Sequence, residues 1–392
     1  MIEGLRVAVA GGSIGGLTAA VLLHELGCDV HVYERSNAAL QERGAGIVVL
    51  EMTERYFTRR GGEDDRVSLE LLWWKYVDEE GNELSADLDR FRFSSWNTVY
   101  LALLEAFPGD RYHLESEMVG FDSRSDGVTM LMSDGSHIEA DLLVCCDGVT
   151  STARRILLPE VDPLYAGYVA WRATASEAEL SDETLASLSD SMLYQVLPEG
   201  HVLVYAIPSP EGSTEPGKRV QNFVWYRNYA LGGPFESLMT DRAGHRRSTS
   251  VPPGLVAEEH LAEMRAAAMV LAPPIREVGL RSHAPFVQAI FDLEVTRMVF
   301  GRVCIMGDAA FVARPHVAAG TAKAAADAWA LRDALVASPD VDRALAKWEA
   351  AQLNLGRSVV ERSRRMGNRS QFEGTMFPGD PDWKFGLFGP YN

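Results

Sequence analysis

The sequence predicts a mixed α/β fold with a parallel-sheet domain at the N-terminus, a second domain built on a β-sheet, and a helix near the C-terminus. Three observations predict this architecture. An apolar run, Leu5 to Ala10, is followed by a glycine-rich turn and then by helical spacing over Leu17 to Leu26. Short β-like runs separated by Pro, Gly and Ser dominate residues 161–300. A helical pattern extends from about Asp342 to Met366.

The N-terminal segment predicts a strand–helix–strand unit. Gly11-Gly12-Ser13-Ile14-Gly15-Gly16 separates the first apolar run from the helix, and Gly27 ends that helix. Cys28 to Tyr33 then has the pattern of a second strand, which ends at Glu34. Because a crossover helix joins neighbouring parallel strands, this order predicts the start of a parallel sheet.

Local patterns also predict the remaining elements. They indicate a helix at Val99 to Phe107 and strands at Met118 to Phe121 and Val128 to Met132, with a hairpin turn at Ser133-Asp134-Gly135-Ser136. They also indicate strands at Leu142 to Cys146 and Val303 to Met306, β-like runs at Tyr165 to Ala173, Met192 to Leu197, His201 to Ile207 and Phe223 to Tyr226, and helices at Ala257 to Val270 and Thr321 to Val336. The tail, Gly374 to Asn392, is rich in Gly, Pro and aromatic residues, and we expect it to lie extended over the surface.

These elements predict a discontinuous first domain. Its expected segments are residues 1–70, 100–160 and 285–340, whereas the β-sheet domain takes 71–99 and 161–284. The C-terminal helix and tail take 341–392.

The composition excludes several classes of function. The chain has 392 residues and a formal net charge of −18, which repels phosphate backbones, so we expect no nucleic-acid partner. The N-terminus lacks the basic and apolar regions of a signal peptide, and no apolar run is long enough to span a membrane. These features predict a soluble cytoplasmic protein without a membrane partner.

The cysteines predict neither a disulfide framework nor a metal site. Each lies in or beside an apolar, strand-like segment, and their spacing is not that of a zinc site. We expect buried, reduced thiols at Cys28, Cys145, Cys146 and Cys304, and no bound metal.

The glycine-rich turn predicts a dinucleotide site. A strand, a tight glycine turn and a helix N-terminus place backbone N–H groups against a pyrophosphate. Here the motif is Gly11-x-Ser13-x-x-Gly16, with small Ser13 at the middle glycine position and Ile14 opening the helix. Glu34 ends the second strand and can accept hydrogen bonds from a ribose, and we include its neighbour Arg35 in the site. The charge of Glu34 disfavours a 2′-phosphate. This motif does not separate NAD from FAD, and a glycine turn without a ligand is the structural alternative.

Two later motifs identify a family. Asp147-Gly148-Val149-Thr150-Ser151-Thr152-Ala153-Arg154 matches D-G-x-x-S-x-x-R, and Gly307-Asp308-Ala309-Ala310 is followed by Pro315 and Gly320. With Arg43 and the glycines after it, these segments resemble the group A flavoprotein monooxygenases, the para-hydroxybenzoate hydroxylase-like family. The resemblance covers nearly the whole chain and implies a Rossmann-like FAD-binding domain beside a β-sheet substrate domain.

The resemblance also implies roles for several residues. Asp308 is expected to bind the FAD ribityl chain, and Arg43 the pyrophosphate or ribityl region. The backbone of Ala319 and Gly320, with the helix N-terminus that follows, is expected to stabilise negative charge on the flavin. Asp147 and Arg154 are expected in a segment that contacts both FAD and NAD(P)H; a surface turn with an ion pair is the structural alternative.

The implied activity is hydroxylation of a small aromatic ring. Family members bind FAD non-covalently, use NADH or NADPH with O2, and transfer oxygen through a flavin C4a-hydroperoxide. Tyr165 to Arg172 and Arg314-Pro315-His316 resemble the branch that hydroxylates dihydroxypyridines, so 2,6-dihydroxypyridine hydroxylated at position 3 is the expected reaction. Another hydroxypyridine or phenol from natural-product biosynthesis remains open. A homodimer is expected at the family level.

The chain departs from the family pattern at four places. Phe311 stands where many relatives have histidine, and Trp96 stands where many have an FAD-contacting arginine. Ala318-Ala319-Gly320 replaces Gly-Gln-Gly. Val48 stands near the position where relatives acting on hydroxynicotinate have a histidine, so a catalytic base does not carry over to that position.

Candidate catalytic residues follow from the substrate chemistry. An ionised ring hydroxyl makes the ring more nucleophilic, so we expect a base or hydrogen-bond donors near it. His316 is the first candidate, beside Pro315, whose carbonyl lies over the substrate ring in relatives; Tyr205 is a further candidate. Four weaker substrate-binding candidates are Tyr226, Gln221, His283 and Arg314.

Three other functions compete with this interpretation. A halogenase or reductase could use the same fold, but the halogenase signature W-x-W-x-I-P is missing. A non-enzymatic binding module is disfavoured by intact Asp147, Arg154 and Asp308, and an NAD-dependent dehydrogenase does not explain Gly307-Asp308. The arginines of the last helix are expected on a solvated face or in a subunit contact: Arg357, Arg362, Arg364, Arg365 and Arg369.

Overall fold

A computed structural model describes residues 2–38, 40, 46–59 and 67–390. The helices are α1 (Ile14–Glu25), α2 (Glu51–Thr58), α3 (Trp96–Glu105), α4 (Thr152–Leu157), α5 (Asp182–Leu188), α6 (Gly233–Leu238), α7 (Glu258–Ala267), α8 (Pro273–Arg281), α9 (Gly320–Ala337) and α10 (Val341–Asn368). The strands are β1 (Arg6–Ala10), β2 (Asp29–Tyr33), β3 (Gly46–Val49), β4 (Leu69–Val77), β5 (Glu83–Ser95), β6 (Tyr112–His113), β7 (Met118–Ser123), β8 (Val128–Met132), β9 (His137–Ala140), β10 (Leu142–Cys145), β11 (Leu164–Ser176), β12 (Ser191–Leu197), β13 (Gly200–Ile207), β14 (Val220–Asn228), β15 (Ser250–Val251), β16 (His283–Glu294), β17 (Val299–Phe300), β18 (Val303–Ile305) and β19 (Phe311–Val312).

The N-terminal strand–helix–strand unit lies at the centre of a six-stranded sheet. The strand order is β17-β18-β10-β1-β2-β6, and β1 pairs in parallel with β10 on one side and β2 on the other. Four of the five β1 residues are buried, as a parallel strand covered on both faces requires. Helix α1 is apolar on every side because it packs between this sheet and α9. The mixed α/β fold predicted from the sequence is confirmed.

A larger sheet lies beside it, with the strand order β15-β16-β11-β14-β13-β12-β4-β5-β3 and β19 added to β16. Both faces of its central strands are buried, as in β13, where every residue is buried. One face packs against α9, α10 and the C-terminal tail, and the other packs against α5 to α8. Strands β3 and β16 pair within this sheet, although the predicted boundaries assign most of both to the first domain.

The helix predicted at Ala257 to Val270 is present, and a second helix that was not predicted follows it. Helix α7 ends at Ala267, a short 3₁₀ turn covers Ala268–Val270, and α8 then begins at Pro273. Proline fits the first turn of a helix because no N–H is needed there, so Pro273-Pro274 starts α8 rather than breaking a helix. The predicted strands β7 and β8 are present and pair with each other, and the predicted hairpin turn at Ser133 to Ser136 joins β8 to β9.

The prediction for the C-terminal tail is wrong. Trp383 is fully buried, and Phe385 and Leu387 are each 3% exposed within the core of the large sheet. The backbone N–H of Gly386 donates to the carbonyl of Val317 (3.1 Å). Local composition suggested a surface segment, but the aromatic side chains fill space that the large sheet and α10 leave open.

Two of the arginines that were expected on a solvated face or in a subunit contact instead hold this tail in place. Arg362 donates to the carbonyl oxygens of Lys384 and Gly386, and Arg369 pairs with Asp380. Only Arg357 and Arg365 of the five predicted arginines are exposed. No helix in the described residues is long and apolar enough to cross a membrane.

Candidate active site

The glycine-rich turn has no room for side chains at its first and last glycines. Gly11 has φ +100°, and a Cβ there would lie 2.4 Å from the carbonyl oxygen of Cys146. A Cβ on Gly16 would lie 1.9 Å from the carbonyl oxygen of Gly11. Gly12 is equally restricted, because Tyr112 packs on it and its hydroxyl donates to the Gly12 carbonyl (3.0 Å). The turn is therefore fixed in shape, and the first-turn N–H groups of α1 remain available to a ligand.

Ser13 lies at the N-terminus of α1, and its hydroxyl forms no capping hydrogen bond there. Its side chain lines both cavities described below, as does Trp96. Trp96 begins α3 and stacks on Tyr100, with ring centroids 5.0 Å apart. A small hydroxyl and an aromatic ring therefore flank the passage between the two cavities.

A cavity of about 320 Å³ lies at the end of β2. Glu34 lines it and is largely buried; one carboxylate oxygen accepts from the Gly12 N–H (2.9 Å), and the other accepts from Ser36. Each carboxylate oxygen has two lone pairs, and Ser36 uses both on its oxygen, so the oxygen that accepts from Gly12 can still accept one bond from a ligand. Arg35 also lines this cavity and is exposed.

The Asp147–Arg154 segment closes the other side of that cavity. Asp147 lines it, and its carboxylate accepts from the Ser151 hydroxyl (2.6 Å) and the Ala153 N–H (3.1 Å). Arg154 is turned away and 1% exposed, and its guanidinium donates to the carbonyl of Ala309 (3.0 Å). Arg154 thus connects this segment to the Gly307–Ala309 turn, and neither cavity includes it among its lining residues.

The turn after β18 presents one carboxylate to the second cavity. Asp308 is exposed to that cavity and accepts no hydrogen bond within the described residues. Its pKa is raised to about 6, chiefly because the enclosing walls remove it from bulk water; Lys323 opposes the rise and Asp327 adds to it. Behind it, Asp327 accepts from the Gly307 N–H (2.8 Å) and pairs with Lys323 (2.7 Å).

This second cavity, about 480 Å³, extends from the glycine-rich turn into the large sheet. The N-terminus of α9 forms part of its wall through Ala318, Gly320 and Thr321, while the Ala319 side chain is buried behind them. Ala318 has φ +54°, a left-handed conformation that costs a non-glycine residue about 1 kcal/mol. Glycine adopts this conformation without that cost, which fits the first glycine of the Gly-Gln-Gly family pattern at this position.

The cavity brings together four of the predicted catalytic and substrate residues. Pro315, His316, Tyr205 and Tyr226 all line it. The His316 ring centroid lies 4.7 Å from that of Tyr226, and burial lowers the pKa of His316 well below its usual range. Burial raises the pKa of Tyr205 to about 12. The imidazole and both phenols are therefore neutral near pH 7.

The other three candidates do not reach the cavity. Gln221 donates to Glu177 (2.8 Å) on the opposite face of the large sheet. His283 is exposed and pairs with Glu179 (2.8 Å). Arg314 is neither on the surface nor in the cavity wall, because its guanidinium is buried against Asp292 (2.7 Å).

Sequence reasoning missed other lining residues. Arg172 donates to the carbonyl of Gly46 (2.7 Å), and His201, 1% exposed, lies with its ring 5.2 Å from that of His316. Phe385 comes from the tail. Arg172 lies within the family-like segment Tyr165 to Arg172, which was the available signal; no sequence pattern distinguished His201 or Phe385.

Arg43 lies outside the described residues. The cysteines are unpaired thiols, with Cys28, Cys145 and Cys304 buried and Cys146 partly exposed toward both cavities. Among the residues that the structure describes, no cluster of histidine, cysteine and acidic side chains could hold a metal ion.

Known proteins resemble this arrangement closely. Residues 165–292 match the family model described as FAD binding domain-like. The 2,6-dihydroxypyridine 3-monooxygenase of Paenarthrobacter nicotinovorans is 38% identical over 97% of this chain and 96% of that protein. This chain belongs to the group A FAD-dependent aromatic hydroxylases. It is therefore a flavoprotein monooxygenase, rather than a dehydrogenase or a non-enzymatic binding module.

Further comparisons concern a dihydroxypyridine hydroxylase structure, a hydroxynicotinate monooxygenase and one protein that shares the fold. The structure of 2,6-dihydroxypyridine-3-hydroxylase from Arthrobacter nicotinovorans has a TM-score of 0.92 and 38% identity, covering 98% of this chain and 97% of that one. The 6-hydroxynicotinate 3-monooxygenase of Pseudomonas fluorescens is 27% identical over 98% of this hydroxylase and 96% of the relative. Salicylate hydroxylase, with a TM-score of 0.74 and 20% identity, shares the fold.

The residues present fit FAD. The two cavities share Ser13, Trp96, Cys146 and Gly148 in their walls, so they form one continuous path. Two helix N-termini, of α1 and α9, border this path and favour negative charge. The carboxylates of Glu34 and Asp308 lie at separate points along it, and both keep free acceptor positions.

Proposed function

We propose that this enzyme hydroxylates a hydroxylated pyridine ring, with 2,6-dihydroxypyridine hydroxylated at position 3 as the first reaction to test. The continuous path from the Glu34 end to a chamber lined by aromatic and imidazole side chains carries this proposal. A relative that is 38% identical is named 2,6-dihydroxypyridine 3-monooxygenase, which supports this choice of substrate. The reaction consumes ring C–H, O2, NAD(P)H and a proton, and yields ring C–OH, water and NAD(P)⁺.

We propose that the protein holds FAD along this path. Glu34 and Arg35 would lie at the adenosine end, with Gly11, Ser13, Ile14 and Gly16 at the pyrophosphate. Asp308 would bind the ribityl chain, and the backbone at Ala319 and Gly320 the flavin ring; Asp147 and Arg43 would complete the site. Arg154 would support it from behind, through its bond to the carbonyl of Ala309. Hydride acceptance and oxygen activation are the chemistry that FAD supplies when bound.

The substrate chamber would orient the ring and exclude water. Leu203, Val224 and Phe385 give it apolar walls, and Tyr205, Tyr226 and His316 place polar atoms among them. A neutral imidazole whose pKa lies far below 7 is a weak proton acceptor. We therefore assign His316 to hydrogen bonding with a ring oxygen rather than to proton abstraction, and Pro315 to contact with the ring.

The first experiment is a visible spectrum of the purified protein, followed by NADH and NADPH oxidation with and without 2,6-dihydroxypyridine. We expect a yellow protein whose oxidation of the nucleotide rises at least tenfold with this compound and gives the trihydroxypyridine. A yellow protein that does not respond to this compound, or releases only peroxide, would move the proposal to another hydroxylated aromatic ring.

We also propose a homodimer and a cytoplasmic location. The mass in solution tests the homodimer of 43.1 kDa chains, and fractionation of the source cells tests the location.

The ionised carboxylate of Asp308 is expected to bind FAD and to lower the stability of the FAD-free protein. Its folded pKa of about 6 lies above the value of about 3.9 in an unfolded chain. The folded state therefore holds the proton more tightly, and the carboxylate destabilises it increasingly as pH rises from about 4 to about 6. We expect Asp308→Asn, free of FAD, to melt above wild type at pH 8, with the difference shrinking toward pH 5.

The same variant should bind FAD about 10- to 100-fold more weakly, as expected for one lost bond to a charged group. Asp134→Asn is the matched control, because Asp134 lies in an exposed turn and accepts from Ser136, which lowers its pKa. We expect no gain in melting temperature from that change. An Asp308→Asn protein that melts at or below wild type at pH 8 would contradict the argument.

A further inference from the structure

A buried chain of side chains leads from an ion pair to His316 at the cavity wall. Arg314 donates two hydrogen bonds to Asp292, at 2.9 and 2.7 Å, and a third to Asn368. The Tyr168 hydroxyl lies 2.6 Å from Nε2 of His316. Asp292, Arg314, Tyr168 and His316 are each less than a tenth exposed.

The Arg314 guanidinium and the Tyr168 hydroxyl lie next to each other. A Cβ on Gly367 would lie 2.6 Å from the Tyr168 oxygen and 2.9 Å from Nη1 of Arg314. The guanidinium carbon also lies 5.6 Å from the centre of the Tyr168 ring. A permanent positive charge therefore lies beside the phenol oxygen, which also contacts His316.

This arrangement fixes the direction of the hydrogen bond. A guanidinium has donors and no acceptor, so the phenol turns its lone pairs toward Arg314 and its O–H toward His316. The reverse direction would point the Tyr168 O–H at the guanidinium. The phenol stays protonated, because burial raises its pKa, so Nε2 of His316 must accept.

A neutral imidazole carries one N–H, which then lies on Nδ1. Burial, His201 and Arg314 each lower the pKa of His316, so the ring is neutral. Nδ1 of His316 is buried and has no hydrogen-bond partner within the described residues. An unpaired buried N–H is costly to retain unless a ligand completes it.

We propose that Tyr168, oriented by the Arg314–Asp292 pair, is a positioning residue that holds His316 in the Nδ1–H tautomer, so that this N–H donates to an oxygen of the ring substrate. Donation to the ring substrate rests on the proposed function, whereas the tautomer itself does not. The donor would stabilise negative charge on a ring hydroxyl oxygen, which is the charge that activates the neighbouring carbon.

The tautomer is measured by long-range ¹⁵N–¹H correlation in FAD-loaded protein labelled with ¹⁵N-histidine. We expect His316, assigned by its loss in His316→Asn, to show a protonated Nδ1 and an unprotonated Nε2. In Tyr168→Phe, the Nε2-protonated form should appear. Tyr165→Phe is the control on the same strand, because the Tyr165 hydroxyl donates to the carbonyl of Tyr229 instead. A protonated Nε2 in wild type, or an unchanged tautomer in Tyr168→Phe, would overturn the proposal.

Two substitutions of His316 test the donor position with 2,6-dihydroxypyridine. An asparagine amide nitrogen lies near the place of Nδ1, whereas a glutamine amide nitrogen lies near that of Nε2. We expect His316→Asn to keep KM within about tenfold of wild type and His316→Gln to raise it about 10- to 100-fold, as for loss of one bond to a charged oxygen. Equal effects would overturn the donor assignment. If wild type does not turn over this compound, the proposed function fails and the NMR result alone decides the tautomer.

Discussion

Replacing Lys323 with methionine is expected to lower the free energy of unfolding by about 3–5 kcal/mol, because removing one partner of a buried ion pair leaves the other charge uncompensated. The side chains of Lys323 and Asp327 are 4% and 0% exposed, and Nζ lies 2.7 Å from Oδ2. Asp327 also accepts from the Gly307 N–H, so the pair supports the turn that presents Asp308. Urea unfolding of the FAD-free proteins measures the loss as a lower midpoint.

The loss should be smaller at acid pH. Burial already raises the pKa of Asp327, and without Lys323 that pKa rises further. The variant therefore loses less stability at pH 5, where Asp327 can protonate in the folded state, than at pH 8. Lys218→Met is the matched control, since the Lys218–Glu215 pair is exposed and such pairs contribute at most about 1 kcal/mol. Similar losses in both variants would contradict a buried, uncompensated charge at Asp327.

The cofactor end of the site was predictable because its chemistry constrains the backbone locally. The positions of Gly11 and Gly16 leave no room for a Cβ, and Gly307 has φ +60°. The glycines that form the motifs in the sequence are therefore the ones that the backbone geometry requires. A strand, a turn and a helix adjacent in sequence are also adjacent in space. Asp308 and Asp147 could be located from motifs alone for this reason.

The substrate end was less predictable because both faces of the central strands of the large sheet are buried. On β14, Val224 and Tyr226 face the cavity, while Phe223 and Trp225 face the opposite core. Successive side chains of a strand alternate between faces, so Gln221 faces away from the cavity and Tyr226 faces into it. An alternation between two apolar cores leaves no polar pattern in the sequence that shows which face lines a cavity.

Replacing Trp383 with alanine is expected to lower the free energy of unfolding by about 3–5 kcal/mol, the usual cost of removing a large buried aromatic side chain. Trp383 is fully buried, and its ring centroid lies 5.2 Å from that of His201 and 5.6 Å from that of His316. Phe388→Ala is the matched control from the same tail, because Phe388 is 59% exposed. We expect that change to alter stability by about 0.5 kcal/mol or less. Urea unfolding of both variants at equal FAD concentration makes the comparison.

The substrate chamber should respond to this change as well, because the tail supplies part of its wall. Phe385 lines the cavity and packs on Trp74 with ring centroids 4.6 Å apart, two residues after Trp383. Loss of Trp383 removes packing behind both His316 and this wall, so KM for the ring substrate should rise in Trp383→Ala and stay unchanged in Phe388→Ala. If the two variants had the same stability and the same KM, the tail would not form part of the core or of the chamber.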